Sequence, residues 1–320
     1  MEAKMRTLVC LLISIALLGG ALWWVVSSEQ KAEQAASAAA EGSILLSSFT
    51  ADQLEQIEVL YQGQCLTLQY SDEGWTLLQD PAYHLDESAC NTMRTALSAL
   101  YAKRQITAEP DQDYSMDEPQ VVVTATVAGQ ANTFVFGAEN PVTGDLYLQK
   151  TGEDALYTVA YNKAACFQLT KEELFGSFDP TGLAAAGLQQ VEYTLLDGAH
   201  IALTVFSEPV EQEGTEGYTT VWRLADEADA ELDESKVQGI LSALSSYVCG
   251  QITQADPADY GFDQPLVTVT ACTDEKTVVL RYAVGADGCY LMVEGDSSIY
   301  QVDMETVNRF SYAEQQLKIQ

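Results

Sequence analysis

The sequence contains very few histidines and very few basic residues for a chain of 320 residues. Two histidines leave little room for histidine-based acid–base catalysis or for a metal site with several histidine ligands. Fifteen lysines and arginines stand against 47 aspartates and glutamates, which gives a formal net charge of −32. Because nucleic acids are polyanions, this balance excludes nucleic-acid binding as a main role.

Several motifs that mark common enzyme classes are also missing. The sequence has no G-x-x-x-x-G-K-[ST] phosphate loop and no G-x-G-x-x-G, so nucleotide binding has no support. It has no G-x-S-x-G nucleophile turn, and none of its seven cysteines forms a C-x-x-C pair. We therefore expect no catalytic residue, no cofactor, no metal and no nucleotide.

One long apolar run lies close to the N-terminus. Residues 7–26 (TLVCLLISIALLGGALWWVV) carry no charge, and as a helix they would extend ~30 Å, enough to cross a bilayer. Lys4 and Arg6 precede the run, and a short basic flank stays in the cytoplasm. The pattern predicts a cytoplasmic tail over 1–6, a transmembrane anchor over 7–26 and an extracytoplasmic remainder of the chain.

A cleaved secretory signal is the alternative interpretation of the same run. The apolar core of such a signal usually spans only ~7–15 residues, and this one is longer. The Ala-x-Ala sequence at residues 38–40 lies well beyond it. A mature N-terminus near Glu41 would favour cleavage over the anchor.

The segment that follows the apolar run has the composition of a stalk. Residues 27–43 are rich in alanine, glutamate, glutamine and serine and contain no large apolar side chain, so they cannot build a core. Six cysteines follow beyond it, an even number that permits disulfides in an exported chain. They are too sparse for a disulfide scaffold, and buried thiols explain them equally well.

From about residue 44 onward the chain repeats itself. The tetrapeptide LDES at residues 85–88 returns at 232–235, a spacing of 147 residues, which also separates Trp75 from Trp222. Residues 104–125 share 11 of 22 positions with residues 250–271, where chance would give about one or two. The sequence therefore predicts a first repeat over 44–175, a linker over 176–182 and a second repeat over 183–320.

Each repeat has the pattern of an α+β domain. Short β-rich runs at 56–60 and 65–70 flank a hairpin signal, and a third run follows at 75–78. Helices are predicted from Asp86 to Tyr101, from Asp233 to Val248 and from Asn162 to Leu174. We expect two tandem repeats of a mostly antiparallel sheet with helices packed on it, after an N-terminal transmembrane helix.

A short motif recurs before a valine-rich strand in both repeats. The second copy reads DYGFDQP at residues 259–265, and the first reads DYSMDEP at residues 113–119, with Ser115 in place of Gly261. With the anchor, the paired strands and the Trp strand, this motif resembles the DUF4340 family in two tandem copies. The resemblance implies no chemistry, because that family has no assigned activity. Some of its relatives resemble partners of membrane transporters, which is a hint at the level of the family.

The motif residues allow a functional and a structural interpretation. A tyrosine and an aspartate at a loop could contact a ligand. The structural interpretation, which we favour, has the aspartate capping a turn, the proline setting the entry to the next strand and the tyrosine packing. The residues concerned are Tyr114, Asp117, Pro119, Tyr260, Asp263 and Pro265.

The second repeat contains an acidic insertion, SEPVEQEGTEG, where the first repeat has only four residues. It is predicted to be either a solvated loop or a contact loop for a cationic partner, with the acidic side chains Glu208, Glu211, Glu213 and Glu216. Trp75 and Trp222 occupy equivalent positions, which favours core packing over sugar stacking.

These observations predict a non-enzymatic, single-pass protein of the cell envelope that binds other proteins. The membrane, through residues 7–26, and an envelope or transporter protein are the expected partners. One alternative is a hydrolase that cleaves wall glycan with two facing carboxyl groups, which sequence alone cannot identify. The other is a passive module that binds a small ligand in an apolar cleft.

Overall fold

The computed structural model describes residues 44–47, 49–109, 111–212 and 215–319. The predicted tail, anchor and stalk over residues 1–43 lie outside this part of the chain. Within the described ranges, no helix is both long enough and apolar enough to cross a membrane.

The first repeat forms one eight-stranded antiparallel sheet and a small two-stranded sheet of β1 and β5. The larger sheet has the order β4-β3-β2-β7-β8-β9-β10-β6. The strands are β1 Ile44–Leu45, β2 Leu54–Tyr61, β3 Gln64–Ser71, β4 Gly74–Leu77, β5 Tyr101–Ala102, β6 Arg104–Ile106, β7 Val121–Val127, β8 Gln130–Glu139, β9 Leu146–Lys150 and β10 Leu156–Val159.

The second repeat forms an eight-stranded antiparallel sheet of the same topology, in the order β13-β12-β11-β15-β16-β17-β18-β14. Strand by strand, this order matches that of the first sheet, so the predicted duplication of an antiparallel sheet is confirmed. The strands are β11 Leu188–Leu195, β12 His200–Gln212, β13 Thr215–Leu224, β14 Gly250–Ile252, β15 Val267–Thr273, β16 Thr277–Val284, β17 Cys289–Val293 and β18 Ile299–Val302.

Helices contribute less to both repeats than the sequence predicted. The described part of the chain contains α1 Glu87–Ser98, α2 Asn162–Ala165, α3 Glu234–Ala243, α4 Met304–Asn308 and α5 Glu314–Leu317. The chain divides into two compact units, residues 44–74 with 88–170, and residues 75–87 with 171–320.

The predicted hairpin between β2 and β3 is confirmed, and its turn lies at the predicted Q-G-Q sequence. Gln62 and Gly63 join β2 to β3 with φ angles of +47° and +78°. Two successive positive φ angles match the right-handed twist of the strands that the turn connects. Glycine takes this conformation without strain, which explains the Q-G-Q signal.

Helix α1 is confirmed, but it ends earlier than predicted. Its apolar face is fully buried at Cys90, Met93 and Leu97. The buried Ser47 hydroxyl donates a hydrogen bond to the Leu97 carbonyl and accepts one from the Leu100 amide at 3.1 Å. Ser47, which precedes Leu97 by 50 residues in sequence, thus pairs with backbone groups that a further helical turn would otherwise have paired.

Helix α3 is confirmed in the same way and also ends early. The Asp233 carboxylate caps its first turn by accepting from the Ser235 amide at 3.1 Å and the Lys236 amide at 3.3 Å. Its C-terminal end is fixed by the Thr181 hydroxyl, which donates to the Leu244 carbonyl at 2.8 Å.

The predicted helix from Asn162 to Leu174 is wrong beyond its first turn. Helix α2 ends at Ala165, and after an irregular stretch residues 171–174 form a turn that leads into an isolated bridge between Phe175 and Leu85. The Leu174 carbonyl accepts from the Asp86 amide at 2.8 Å, and the Gly176 amide donates to the His84 carbonyl at 3.0 Å. These bonds to residues 84–86 are incompatible with a continuous helix to Leu174, so tertiary pairing overrides local helix propensity.

The core of the second unit is built around three aromatic rings. Phe310 is fully buried, with its ring centroid 5.3 Å from that of Tyr282 and 5.9 Å from that of Tyr193. The Tyr193 hydroxyl donates to the Tyr312 carbonyl at 2.9 Å, so burial leaves this polar group satisfied.

Candidate functional site

The motif tyrosines make the same contact in both repeats. Tyr114 packs edge-on against Tyr147, with centroids 4.7 Å apart and the rings at 86°. Tyr260 packs against Tyr290 in the same way, at 4.9 Å and 78°. Edge-to-face packing is a preferred arrangement of aromatic pairs. The structure therefore gives both tyrosines a packing role.

The motif aspartates are placed differently from the tyrosines. Asp117 and Asp263 are both exposed, and no described residue forms a hydrogen bond or ion pair with either carboxylate. Other aspartates cap the local turns: Asp113 accepts from the Ser115 amide at 2.7 Å, and Asp256 accepts from the Ala258 amide at 3.0 Å. The structural interpretation of Asp117 and Asp263 as turn caps is therefore not realised.

We expect Asp117→Ala and Asp263→Ala each to change the free energy of unfolding by less than about 0.5 kcal/mol, as for other exposed positions. Denaturant unfolding followed by circular dichroism measures this change. A loss above about 1 kcal/mol would show a structural role that their exposure does not explain. A matched Asp113→Ala variant, which removes a turn cap, is expected to cost about 1 kcal/mol.

The motif turn packs closely against strand β8 in the first repeat and β16 in the second, and a glycine lies at the closest approach in each. In the first repeat Ser115 adopts a left-handed φ of +52°, and the glycine lies on the strand at Gly137. A Cβ on Gly137 would stand 2.1 Å from the Tyr114 carbonyl oxygen. In the second repeat the glycine lies in the turn, since Gly261 has φ +86° and a Cβ there would approach the Val284 carbonyl oxygen to 2.5 Å.

The motif prolines and the tryptophans occupy equivalent places in the two repeats. Pro119 and Pro265 are half-buried and stand two residues before β7 and β15 begin. Trp75 is buried on β4, and Trp222 is half-buried on β13 against the core of the second unit. Both tryptophans therefore lie on the outermost strand of their sheet.

A buried ion pair that the sequence analysis missed lies in the second unit. Asp80 is 5% exposed, and its carboxylate accepts from Lys171 Nζ at 2.8 Å and from the Thr253 hydroxyl. Burial raises the pKa of Asp80, but the hydrogen bonds from Lys171 and Thr253 outweigh it and hold the pKa below its usual value. Glu227, which follows Asp80 by 147 residues, pairs in turn with Lys318.

Replacing Asp80 by asparagine should lower the free energy of unfolding by about 1–3 kcal/mol at pH 7, because it removes the negative charge that pairs with Lys171 and leaves only a neutral amide oxygen to accept from Lys171 and Thr253. Because the folded-state pKa is lowered, this stabilisation is full above the ordinary pKa of about 3.9 and is lost as the pH falls through the folded value. Urea titrations at several pH values test this. The gap to the unmodified chain should be constant from about pH 5 to 8 and shrink below about pH 4. A gap that grows on acidification would contradict the assignment.

The acidic insertion is a continuation of two strands and not the loop that the sequence predicted. Strand β12 runs through Glu208 to Gln212, and β13 begins at Thr215, so Glu211 and Glu216 also lie on strands. Glu213 lies outside the described residues. The Glu208 carboxylate accepts from Arg223 across the hairpin at 2.7 Å. Cross-strand pairing of this kind favours the extended hairpin.

The two histidines are used in local packing and hydrogen bonding. The His84 ring lies 4.1 Å from that of Phe178, and His200 Nδ1 is 3.1 Å from the Thr194 hydroxyl. No group of three or more histidine, cysteine, aspartate or glutamate side chains in the described ranges could hold a metal ion. Of the cysteines, Cys166, Cys249, Cys272 and Cys289 are free thiols.

Concave surfaces among the described residues of the second unit include the following three. One of about 390 Å³ is polar and lies between α3 and α4, where Arg309 pairs with Glu305. Another of about 390 Å³ is apolar and is lined by Leu196, Leu266 and Phe310. A third of about 310 Å³ runs between β13 and the start of α3.

Comparison with known proteins identifies the family of the chain. The family model described as "Domain of unknown function (DUF4340)" matches residues 75–213 and 222–316. No curated protein and no solved structure matches the chain. The match covers more than half of the sequence in two segments, which agrees with the two sheets of equal topology. The chain therefore belongs to the DUF4340 family.

Proposed function

We propose that the protein is a non-enzymatic interaction module, anchored in the cell membrane by a helix over residues 7–26 and exposed on the extracytoplasmic side. The observation that carries the interaction role is the difference between the two repeats. Their sheets share one topology, but the outermost strand has four residues in the first (β4) and ten in the second (β13). An elongated outer strand is a ready template for pairing with another chain. The partner that we favour is a protein of the envelope, such as part of a transporter assembly.

Fractionation of cells that express the full chain tests the anchor. The chain should stay with membranes after an alkaline carbonate wash, and protease added to intact cells should digest residues 44–320. A variant without residues 7–26 should become soluble. Release of the full chain by carbonate, or a mature N-terminus near Glu41, would overturn the anchor.

Cross-linking in intact cells, followed by purification of the full chain, tests the interaction role. Membrane or envelope proteins should be recovered, and recovery of none would overturn the proposal. Incubating the purified chain with wall glycan separates this role from the hydrolase alternative. No release of reducing sugar is expected, and turnover of the glycan would establish the alternative.

A further inference from the structure

Strand β13 is the open edge of the second sheet. Among the described residues it pairs only with β12, and Tyr218, Thr219 and Thr220 are exposed along it. Natural sheets usually protect an edge by keeping it short or by covering it. Strand β4, at the same place in the first sheet, is short, whereas β13 is not.

The hydrogen-bonding pattern shows which backbone groups of β13 face outward. The Ala225 amide donates to the Ala202 carbonyl at 2.9 Å, so these two residues form a hydrogen-bonded pair. Hydrogen-bonded and non-hydrogen-bonded pairs alternate along antiparallel strands. Trp222 and Thr220, which stand opposite Val205 and Ser207, are therefore non-hydrogen-bonded, and their N–H and C=O groups point away from β12.

The first repeat covers the equivalent edge with a side chain. The Trp75 amide donates to the Glu87 carboxylate at 3.1 Å, at the start of α1. Glu234 follows Glu87 by 147 residues, as Trp222 follows Trp75. Glu234 is exposed, and its carboxylate forms no hydrogen bond or ion pair within the described part of the chain. The contact that covers the first edge is thus absent from the second.

In place of that contact, the second repeat has the groove of about 310 Å³ between β13 and α3. Its lining includes Thr219, Thr220 and Gln238 together with the apolar side chain of Trp222, while Leu232 and Val237 beneath it are almost fully buried. Glu234 lies on its rim, while the one basic group there, Arg223, is already paired with Glu208 at 2.7 Å. The groove therefore offers a mostly polar lining, outward backbone groups and an unpaired negative charge.

We propose that β13 binds an extended, cationic segment of a partner protein, which adds as a further strand and places alternate side chains in this groove. Main-chain hydrogen bonds supply affinity in such strand addition, and pockets for alternate side chains supply specificity. Glu234 and the net charge of −32 favour a basic segment over an acidic one. The same charge opposes pairing of β13 with a second copy of this chain. This inference rests on the proposed interaction role and names its surface and its partner chemistry.

Fluorescence polarisation with the full chain in neutral detergent micelles tests the proposal. The probe is a labelled seven-residue peptide of alternating lysine and valine. It should bind at least tenfold more tightly than the same peptide with glutamate for lysine. Thr220→Pro removes an outward N–H without breaking a bond to β12, and it should weaken binding at least tenfold. Glu234→Lys should weaken binding about threefold, the effect of an exposed ion pair.

Asp263→Lys is the matched control, because it makes the same charge change outside the groove and should leave affinity unchanged. Equal binding of a peptide with proline in place of its central valine would show unspecific charge attraction and overturn strand addition.

Circular dichroism checks that the Thr220→Pro variant folds. If it does not, Glu234→Lys still tests the proposal. If sedimentation analysis shows that the unmodified chain is a dimer and that the Glu234→Lys variant is not, the edge of β13 pairs with a second copy of the chain instead. The binding assay needs no cells, so its failure would leave the membrane and cross-linking results intact.

Discussion

Phe310→Ala is expected to lower the free energy of unfolding by about 3–5 kcal/mol, the usual cost of truncating a fully buried aromatic ring. The ring is 0% exposed and lies against Tyr193 and Tyr282 in the core of the second unit. Its removal leaves a cavity whose aromatic walls cannot collapse easily, because the Tyr193 hydroxyl is held by the Tyr312 carbonyl. Urea unfolding of the full chain in detergent, followed by circular dichroism, measures the loss.

Tyr247→Ala is the control for this prediction. Tyr247 is also aromatic and belongs to the same unit, but it is 71% exposed, so its truncation should cost less than about 0.5 kcal/mol. A Phe310→Leu variant should fall between the two. If Phe310→Ala unfolds within about 1 kcal/mol of the unmodified chain, the described packing of this core is wrong.

Gly137→Ala should cost about 2–3 kcal/mol although it adds one methyl group, because an overpacked site must shift its backbone. The added Cβ would stand 2.1 Å from the Tyr114 carbonyl oxygen, which itself accepts from the Ala138 amide at 2.9 Å. Gly261→Ala should have a similar effect, since its Cβ would meet the Val284 carbonyl and its φ of +86° is strained for alanine.

Gly187→Ala provides the matched control for both glycine variants. A Cβ at Gly187 meets no atom within 4 Å and its φ is not in the left-handed range, so stability should be unchanged or slightly higher. The same denaturant titration measures all three variants. Equal stability of Gly137→Ala and Gly187→Ala would contradict the close approach of the motif turn to β8.

The duplicated architecture could be predicted because it depends on recurrences within the sequence. The spacing between Trp75 and Trp222 and the identities from residue 104 onward required no structural information. The inward faces of both long helices also followed from local periodicity, as Met93 and Ile240 show. The C-terminal ends of these helices could not be predicted from the sequence, because the side chains that terminate α1 and α3, Ser47 and Thr181, lie more than 45 residues away along the chain.

The candidate site was less predictable than the fold. An acidic, polar segment is typical of a loop, so the cross-strand pairing that extends β12 and β13 was not apparent from composition. The Asp80–Lys171 pair joins residues 91 positions apart, and nothing local distinguishes these two charges from the others. The difference between the outer edges at β4 and β13 could not be predicted either, because it depends on where Glu87 and Glu234 lie relative to these strands in the folded chain.

The position of the glycine at the closest approach of each motif turn also limits which turn sequence each half of the chain can accept. Transfer of the second turn into the first half would place glycine at the φ of +52° now held by Ser115, which glycine tolerates. The reverse transfer would set a serine Cβ against the Val284 carbonyl oxygen, where an added Cβ stands at 2.5 Å. We therefore expect the first repeat to tolerate the glycine turn of the second, whereas the second repeat should not tolerate the serine turn of the first.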